Sequence, residues 1–316
     1  MGGPEFFCPF LTLKEGFINF GVMKPHIALV LSGGGARGLA HIGVIEELLG
    51  RGYNIHSVAG TSMGSLVGGV FALGKMQEFK EWMYTLDRAK TFSLVDFTLS
   101  SEGIIKGDKV FEVIKEFIPD MPIEDLPIHF SATACDLERG NEVVFKSGSL
   151  FRAIRASVSI PTLLTPVRYE DRILVDGGLI NNLPVSNVER KANDFLLAVD
   201  VSANVPLLAP PVSTEQEEAE ATYMSKFRDF QDYLEQFFPK KEEEEEKEVG
   251  SFDLLNRTIS IMMERITRFN LAANRPDLLI NISEQSGEIY DFYRAEQLVE
   301  IGRYAAINAL NDWELS

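Results

Sequence analysis

The stretch IALVLSGGGARGLAHIG, residues 27–43, decides the fold. Five apolar residues are followed by Ser32, three consecutive glycines, and a run whose apolar residues return at helical spacing. This reads as strand, tight turn and helix, the opening unit of an α/β sheet. Gly33, Gly35 and Gly38 also match G-x-G-x-x-G, which suggests a dinucleotide site. Such a site requires an acidic residue about 20 positions on, closing the second strand, to hold the ribose hydroxyls. Here the second strand, IHSVAG at 55–60, closes on Ala59-Gly60, and Glu46 and Glu47 lie inside the first helix. No Gly-Lys-Ser/Thr follows the glycines either, so a Walker A loop fails as well. No cofactor is expected.

The second strand ends instead in GTSMG, residues 60–64, and a run of small residues follows at once. G-x-S-x-G between a strand and a helix is the context of a nucleophile elbow, in which Gly60 and Gly64 let strand and helix approach and Ser62 stands above the sheet. A competing reading is an ordinary strand-to-helix turn with a capping hydroxyl. A serine nucleophile needs a base. The four histidines are His26, His41, His56 and His129. Three of them open predicted strands, at the edge away from Ser62, and His41 falls within the first helix as a packing residue. A carboxylate is the better candidate. In RILVDGGLINNLP, 172–184, Asp176 closes an apolar strand and precedes Gly177-Gly178. It is expected at the edge of Ser62, since both follow carboxyl ends of strands. Acyl transfer at such a serine generates an oxyanion that needs backbone N–H donors. Gly33, Gly34 and Gly35, next to a helix N-terminus, can supply them, with Arg37 adding charge or bracing the loop.

Further strands are expected at 26–31, 57–59, 129–135, 142–145, 173–175, 195–201 and 277–282, with helices at 39–49, 65–73, 77–85 and 108–117. The alternation predicts a largely parallel sheet, with an antiparallel edge at the turn Arg139-Gly140-Asn141. After 201 the texture changes to a Pro-rich and then acidic tract. It is followed by an aromatic stripe (Tyr223, Phe227, Phe230, Leu234, Phe237), a charge block at 239–251 and an amphipathic helix near 252–271. Residues 203–273 are read as a helical, acidic insertion into one domain spanning 23–316. The stripe suits packing on the protein's own body, then dimerisation through the 223–271 helices, then a lipid-facing lid. Residues 1–22 are read as a leader, native or appended.

The chain has 316 residues, a formal net charge of −17 and two cysteines. The charge argues against nucleic acid and against tight docking on anionic lipid, unless a local basic face exists. Cys8 and Cys135 offer neither a disulfide framework nor metal-ligand spacing, so no metal is expected and a reducing compartment is the simpler reading. The uncharged run at 55–74 is rich in Ser, Thr and Gly and reads as buried strand, turn and helix rather than a membrane span.

Together GGGARG (33–38), GTSMG (60–64), RASVSIPTLLTPV (155–167) and DGG (176–178), in this order, resemble the patatin-like phospholipases, and the tail from DLLINI onward is similar to that of bacterial members. The resemblance covers about 24–201 and 276–310. It implies a three-layer α/β/α fold and hydrolysis of lipid acyl esters, phospholipid or lysophospholipid, through an acyl-enzyme on Ser62. Asp176 would be the base, Gly33, Gly34 and Gly35 would form the oxyanion hole, and Arg37, Gly60, Gly64, Gly177 and Gly178 would support them. The implied setting is cytoplasmic or peripheral to a membrane, with transient contact at a lipid surface. An acyltransferase on a related fold is the alternative, and the histidine placement counts against it.

Overall fold

Leu31, the last residue of the first strand, pairs with Gly60 on one side and Val199 on the other, so the opening stretch lies in the middle of the sheet. The computed structural model describes residues 25–94, 108–161, 164–208 and 251–315. Residues 1–22, the aromatic stripe and almost all of the charge block lie outside that set, as do the readings made for them.

The strands are β1 (His26–Leu31), β2 (Asn54–Thr61), β3 (His129–Asp136), β4 (Asn141–Phe145), β5 (Val167–Tyr169), β6 (Arg172–Asp176), β7 (Phe195–Ala203) and β8 (Leu278–Ser283). The helices are α1 (Ala40–Gly50), α2 (Met63–Ala72), α3 (Met76–Tyr84), α4 (Arg88–Leu94), α5 (Asp108–Phe117), α6 (Leu150–Ser157), α7 (Gly178–Asn181), α8 (Ser251–Ala273) and α9 (Ala295–Glu314). Hydrogen-bonded neighbours run β5-β6-β3-β2-β1-β7-β8, with β4 added on β3. The five strands β3-β2-β1-β7-β8 are mutually parallel.

Period-two alternation sorts β1 between two cores. Ile27, Leu29 and Leu31 enter the larger one, with side chains from α1, α2, α6 and α9. The smaller Ala28 and Val30 face the thinner core, beneath Leu183, Val185 and Val188 and partly covered by Leu271 of α8. Helices on both faces of a mostly parallel sheet make a three-layer α/β/α fold. On the thick side α1 and α9 cross almost in backbone contact. A Cβ on Gly43 would fall 1.9 Å from the Val299 carbonyl oxygen, and one on Gly302 would fall 1.9 Å from that of Ala40. The C-terminal helix thereby anchors the helix that carries the glycine loop.

Three expectations change. First, β2 is longer than 57–59, because Asn54–Ile55 and Gly60–Thr61 also pair with neighbours. Second, β5 has no counterpart in the sequence reading. Its hairpin to β6 turns through Glu170-Asp171 without glycine, and Glu170 takes φ 53°. Third, the region read as an insertion begins inside a strand and lies on the connection between two sheet neighbours. β7 extends to Ala203, and β7 and β8 are adjacent and parallel, which requires a long connection; α8 lies within it.

The register around β3 determines what meets at the site. β4 occupies one side of β3, opposite residues 132–136. The other side is shared: β2 pairs up to Thr133 and β6 takes over from Ala134, running antiparallel. β2 and β6 therefore meet head-on, carboxyl end to carboxyl end. Asp176 reaches the edge of Ser62 for this reason, and not because β6 runs parallel to β2.

Candidate active site

Ser62 lies between β2 and α2 at φ 53° and ψ −126°, a backbone conformation that costs a non-glycine residue on the order of 1–3 kcal/mol. The crossing around it is tight. A Cβ on Gly60 would lie 2.4 Å from the Gly64 carbonyl oxygen, and one on Gly64 would lie 2.3 Å from that of Leu31. The strain is held from both ends. The Ser62 amide donates to Ser157 Oγ at 2.9 Å, and Ser157 in turn donates to the Thr133 carbonyl at 2.6 Å. The Ser62 carbonyl accepts from the Ser65 hydroxyl and from the amides of Ser65 and Leu66.

The Ser62 hydroxyl donates to Asp176 Oδ2 at 2.5 Å, with both residues buried. The other carboxylate oxygen accepts the Gly178 amide at 2.7 Å, and the Asp176 amide donates to the Ser159 carbonyl. Gly177 lets this turn pass over β3, since a Cβ there would be 2.3 Å from the Thr133 carbonyl oxygen. Burial pushes the Asp176 carboxyl up to about 6, against the lowering effect of the Ser62 and Gly178 hydrogen bonds. It is thus an ionised proton acceptor near neutral pH, close to the range useful for general-base work.

The glycine loop packs directly on Ser62; a Cβ on Gly33 would stand 3.0 Å from the Ser62 Cβ. Its three amides are not equivalent. Gly33 donates to the Asn182 carbonyl at 3.1 Å, so its N–H is already committed. This corrects the expectation that all three glycines offer donors. The Gly34 and Gly35 amides have no partner among the described residues and lie at the entrance to the 3-10 turn Gly35–Leu39, which leads into α1. Arg37 braces the loop, donating from Nε to the Gly34 carbonyl at 3.2 Å and from Nη1 to the Glu284 carbonyl at 3.1 Å. Asn182 Nδ2 and Ser202 Oγ both reach the Gly33 carbonyl.

No histidine approaches Ser62. His41 is fully buried, bonds the Ser32 carbonyl through Nε2 at 2.8 Å, and is pushed down to about 4 by burial, so it is neutral. Because the Ser32 carbonyl can only accept, Nε2 carries the proton. His26 bonds Asn54, and His56 pairs with Asp194. These two and His129 sit at the amino ends of the parallel strands, as expected. Asp136 is occupied by Arg139, which donates to it from its guanidinium and its amide, and by the Glu138 amide, so it serves a turn. Ser157 and Asn182 went unrecognised in the sequence. Ser157 lies within RASVSIP and Asn182 six residues after Asp176, and their partners are 95 and 149 residues away in the chain.

A cavity of about 560 Å³ opens above Ser62, Asp176 and the glycine loop. Met263, Thr267 and Leu271 of α8 form one wall, and Ile289 lies opposite the glycines. Among the described residues no cluster of His, Cys, Asp or Glu could hold a metal ion, and no helix is long and apolar enough to cross a membrane.

The patatin-like phospholipase family model matches residues 29–188, from β1 through both Ser62 and Asp176. An uncharacterized NTE family protein of Mycobacterium tuberculosis is 33% identical over 341 residues, covering 93% of this chain and 94% of that one. The chain belongs to the patatin-like phospholipase family. A lysophospholipase NTE1 of Scheffersomyces stipitis is 33% identical over 185 residues, covering 56% of this chain and 12% of that protein. The crystal structure of VipD from Legionella pneumophila overlaps 92% of this chain and 67% of its own, with a TM-score of 0.44 at 15% identity. This patatin-like protein is a lipid acyl hydrolase.

Proposed function

We propose that it cleaves the carboxylic esters of phospholipids or lysophospholipids through an acyl-enzyme on Ser62, with Asp176 as general base. The observation that carries this reading is the 2.5 Å hydrogen bond between Ser62 Oγ and a buried carboxylate that no cation among the described residues neutralises. Ser62 Oγ attacks the ester carbonyl while its proton passes to Asp176 Oδ2. The resulting oxyanion is met by the Gly34 and Gly35 amides, donors already oriented before reaction. Collapse breaks the ester C–O bond, and Asp176 returns the proton to the departing alcohol. Water then attacks the acyl-enzyme, Asp176 takes its proton, and the fatty acid leaves as Ser62 recovers the hydrogen. The lysophospholipase name of the yeast relative supports lysophospholipid as the first substrate to try.

A fluorophosphonate probe is expected to label the native protein stoichiometrically and to leave Ser62→Ala unlabelled, with fatty acid released from lysophosphatidylcholine by the native protein only. Labelling that survives Ser62→Ala would refute the assignment.

A further inference from the structure

Helix α8 presents two faces of different character. Met263, Thr267 and Leu271 point inward to the cavity, and Thr267 is the one buried side chain among residues 257–273. Away from the cavity Met262 and Phe269 are 59% and 67% exposed, and Ile261, 54% exposed, sits at the cavity rim. At helical spacing they fall within about 100° of arc. Arg265 lies among them, its guanidinium 5.8 Å from the centre of the Phe269 ring. Residues 257–275 hold four exposed arginines, Arg257, Arg265, Arg268 and Arg275, and a single acid, Glu264, in a chain of net charge −17. The apolar exposure continues around the cavity. Leu207 and Leu208 follow the lining residue Val205, and Tyr290 follows the lining residue Ile289, each 43% exposed or more.

We propose that this face docks the enzyme on an anionic lipid bilayer, an inference that rests on reading Ser62 as the nucleophile of a lipid-ester hydrolase. Exposed apolar side chains around Arg265, with Arg257 and Arg268 at the cavity rim, the latter paired with Glu264, and Arg275 just past the helix end, match the chemistry of an interfacial helix. The chains enter the acyl boundary and the guanidiniums meet lipid phosphates. Local charge outweighs net charge here, because at physiological salt fields die away over about 8 Å. The same helix carries the cavity on its inner side, so docking brings the opening above Ser62 to the lipid surface. A second copy fits this face less well, since a two-fold contact would set the same arginines against one another.

The test uses the 316-residue chain carrying Ser62→Ala, which is expected not to consume lipid, in flotation with vesicles of phosphatidylcholine alone or phosphatidylcholine with phosphatidylglycerol. Binding is expected only to the anionic vesicles and should weaken with added salt. Arg265→Glu/Arg275→Glu and Met262→Ser/Phe269→Ser should each lower the partition coefficient by about twentyfold or more. In the Ser62 background these variants should keep native turnover of a water-soluble short-chain ester, which also shows that they fold. Equal binding by native and variant proteins, equal binding to neutral vesicles, or a stable dimer dissociated by the same substitutions would each overturn the proposal. If the native protein floats but hydrolyses no ester, docking stands and the catalytic reading fails instead.

Discussion

The two edges of the sheet carry superficially similar features. At the carboxyl edge Ser62 bonds Asp176 beneath a cavity of about 560 Å³; at the amino edge His56 bonds Asp194 beside a cavity of about 640 Å³. Cavity size alone would favour the amino edge. The carboxylates separate the two. Burial raises Asp194 too, but the Lys191 amide, the Arg190 guanidinium and His56 outweigh it and hold the group below its usual range. Among the described residues the Asp176 carboxylate meets only a hydroxyl and one amide, and burial dominates. A carboxylate compensated from several sides stays ionised and ties strands to loops. One left uncompensated takes up protons easily, as a base must.

The sharpest way to break this comparison is to neutralise each aspartate in turn. Asp176→Asn should lower kcat by about 10⁴-fold or more with the fold intact, by analogy with the loss of a dyad or triad acid elsewhere. Asp194→Asn should leave kcat within about threefold but cost stability. Losing buried hydrogen bonds to a charged group typically costs about 1.5–3 kcal/mol, and Asp194 and His56 have side chains 0% and 5% exposed. Comparable activity losses in both variants would dissolve the distinction.

A second effect follows from proton linkage. With Asp176 raised to about 6, the folded protein binds more protons than the unfolded chain between the ordinary carboxylate range and pH 6. Stability contributed by this group therefore falls as pH rises through that window and stays lowered above it. Asp176→Asn should consequently raise the unfolding free energy at pH 8, by up to about 3 kcal/mol, and the gain should vanish below pH 4. Asp194 has the opposite sign. Its contribution is present above its unfolded pKa and disappears as pH falls through its lower folded value. Paired thermal melts across pH would show the two variants moving in opposite directions at high pH. The native enzyme's kcat/KM should rise about tenfold per pH unit below 6 and then level off.

The smallest expected effect concerns Asn182. Asn182→Ala removes its long side-chain bond to the Gly33 carbonyl but keeps the backbone clasp on the Gly33 amide. A fall in kcat of about tenfold or less, with KM unchanged, would mark Asn182 as positioning the oxyanion loop. A change confined to KM would remove it from that role.

Much of the site was legible in local sequence. The missing acid after β2 argued against a dinucleotide, the strand starts placed His26, His56 and His129 at the far edge from Ser62, and the glycines around Ser62 signalled a crossing that no side chain could share. Residues 251–273 were harder. Their helical pattern was plain, yet the pattern could not say that one face would close the cavity and the other would carry exposed arginines and apolar side chains.

By itself the sequence indicated most of the elements and the candidate site residues, because turn geometry, hydrophobic period and side-chain type act over a few residues. Tertiary structure decided the rest. It set β2 and β6 head-on along one side of β3, placed Ser157 beneath Ser62 and committed the Gly33 amide to Asn182. Each of these depends on sheet register and on hydrogen bonds between distant segments, and burial that only the assembled layers create is what raises Asp176 into the range of a base.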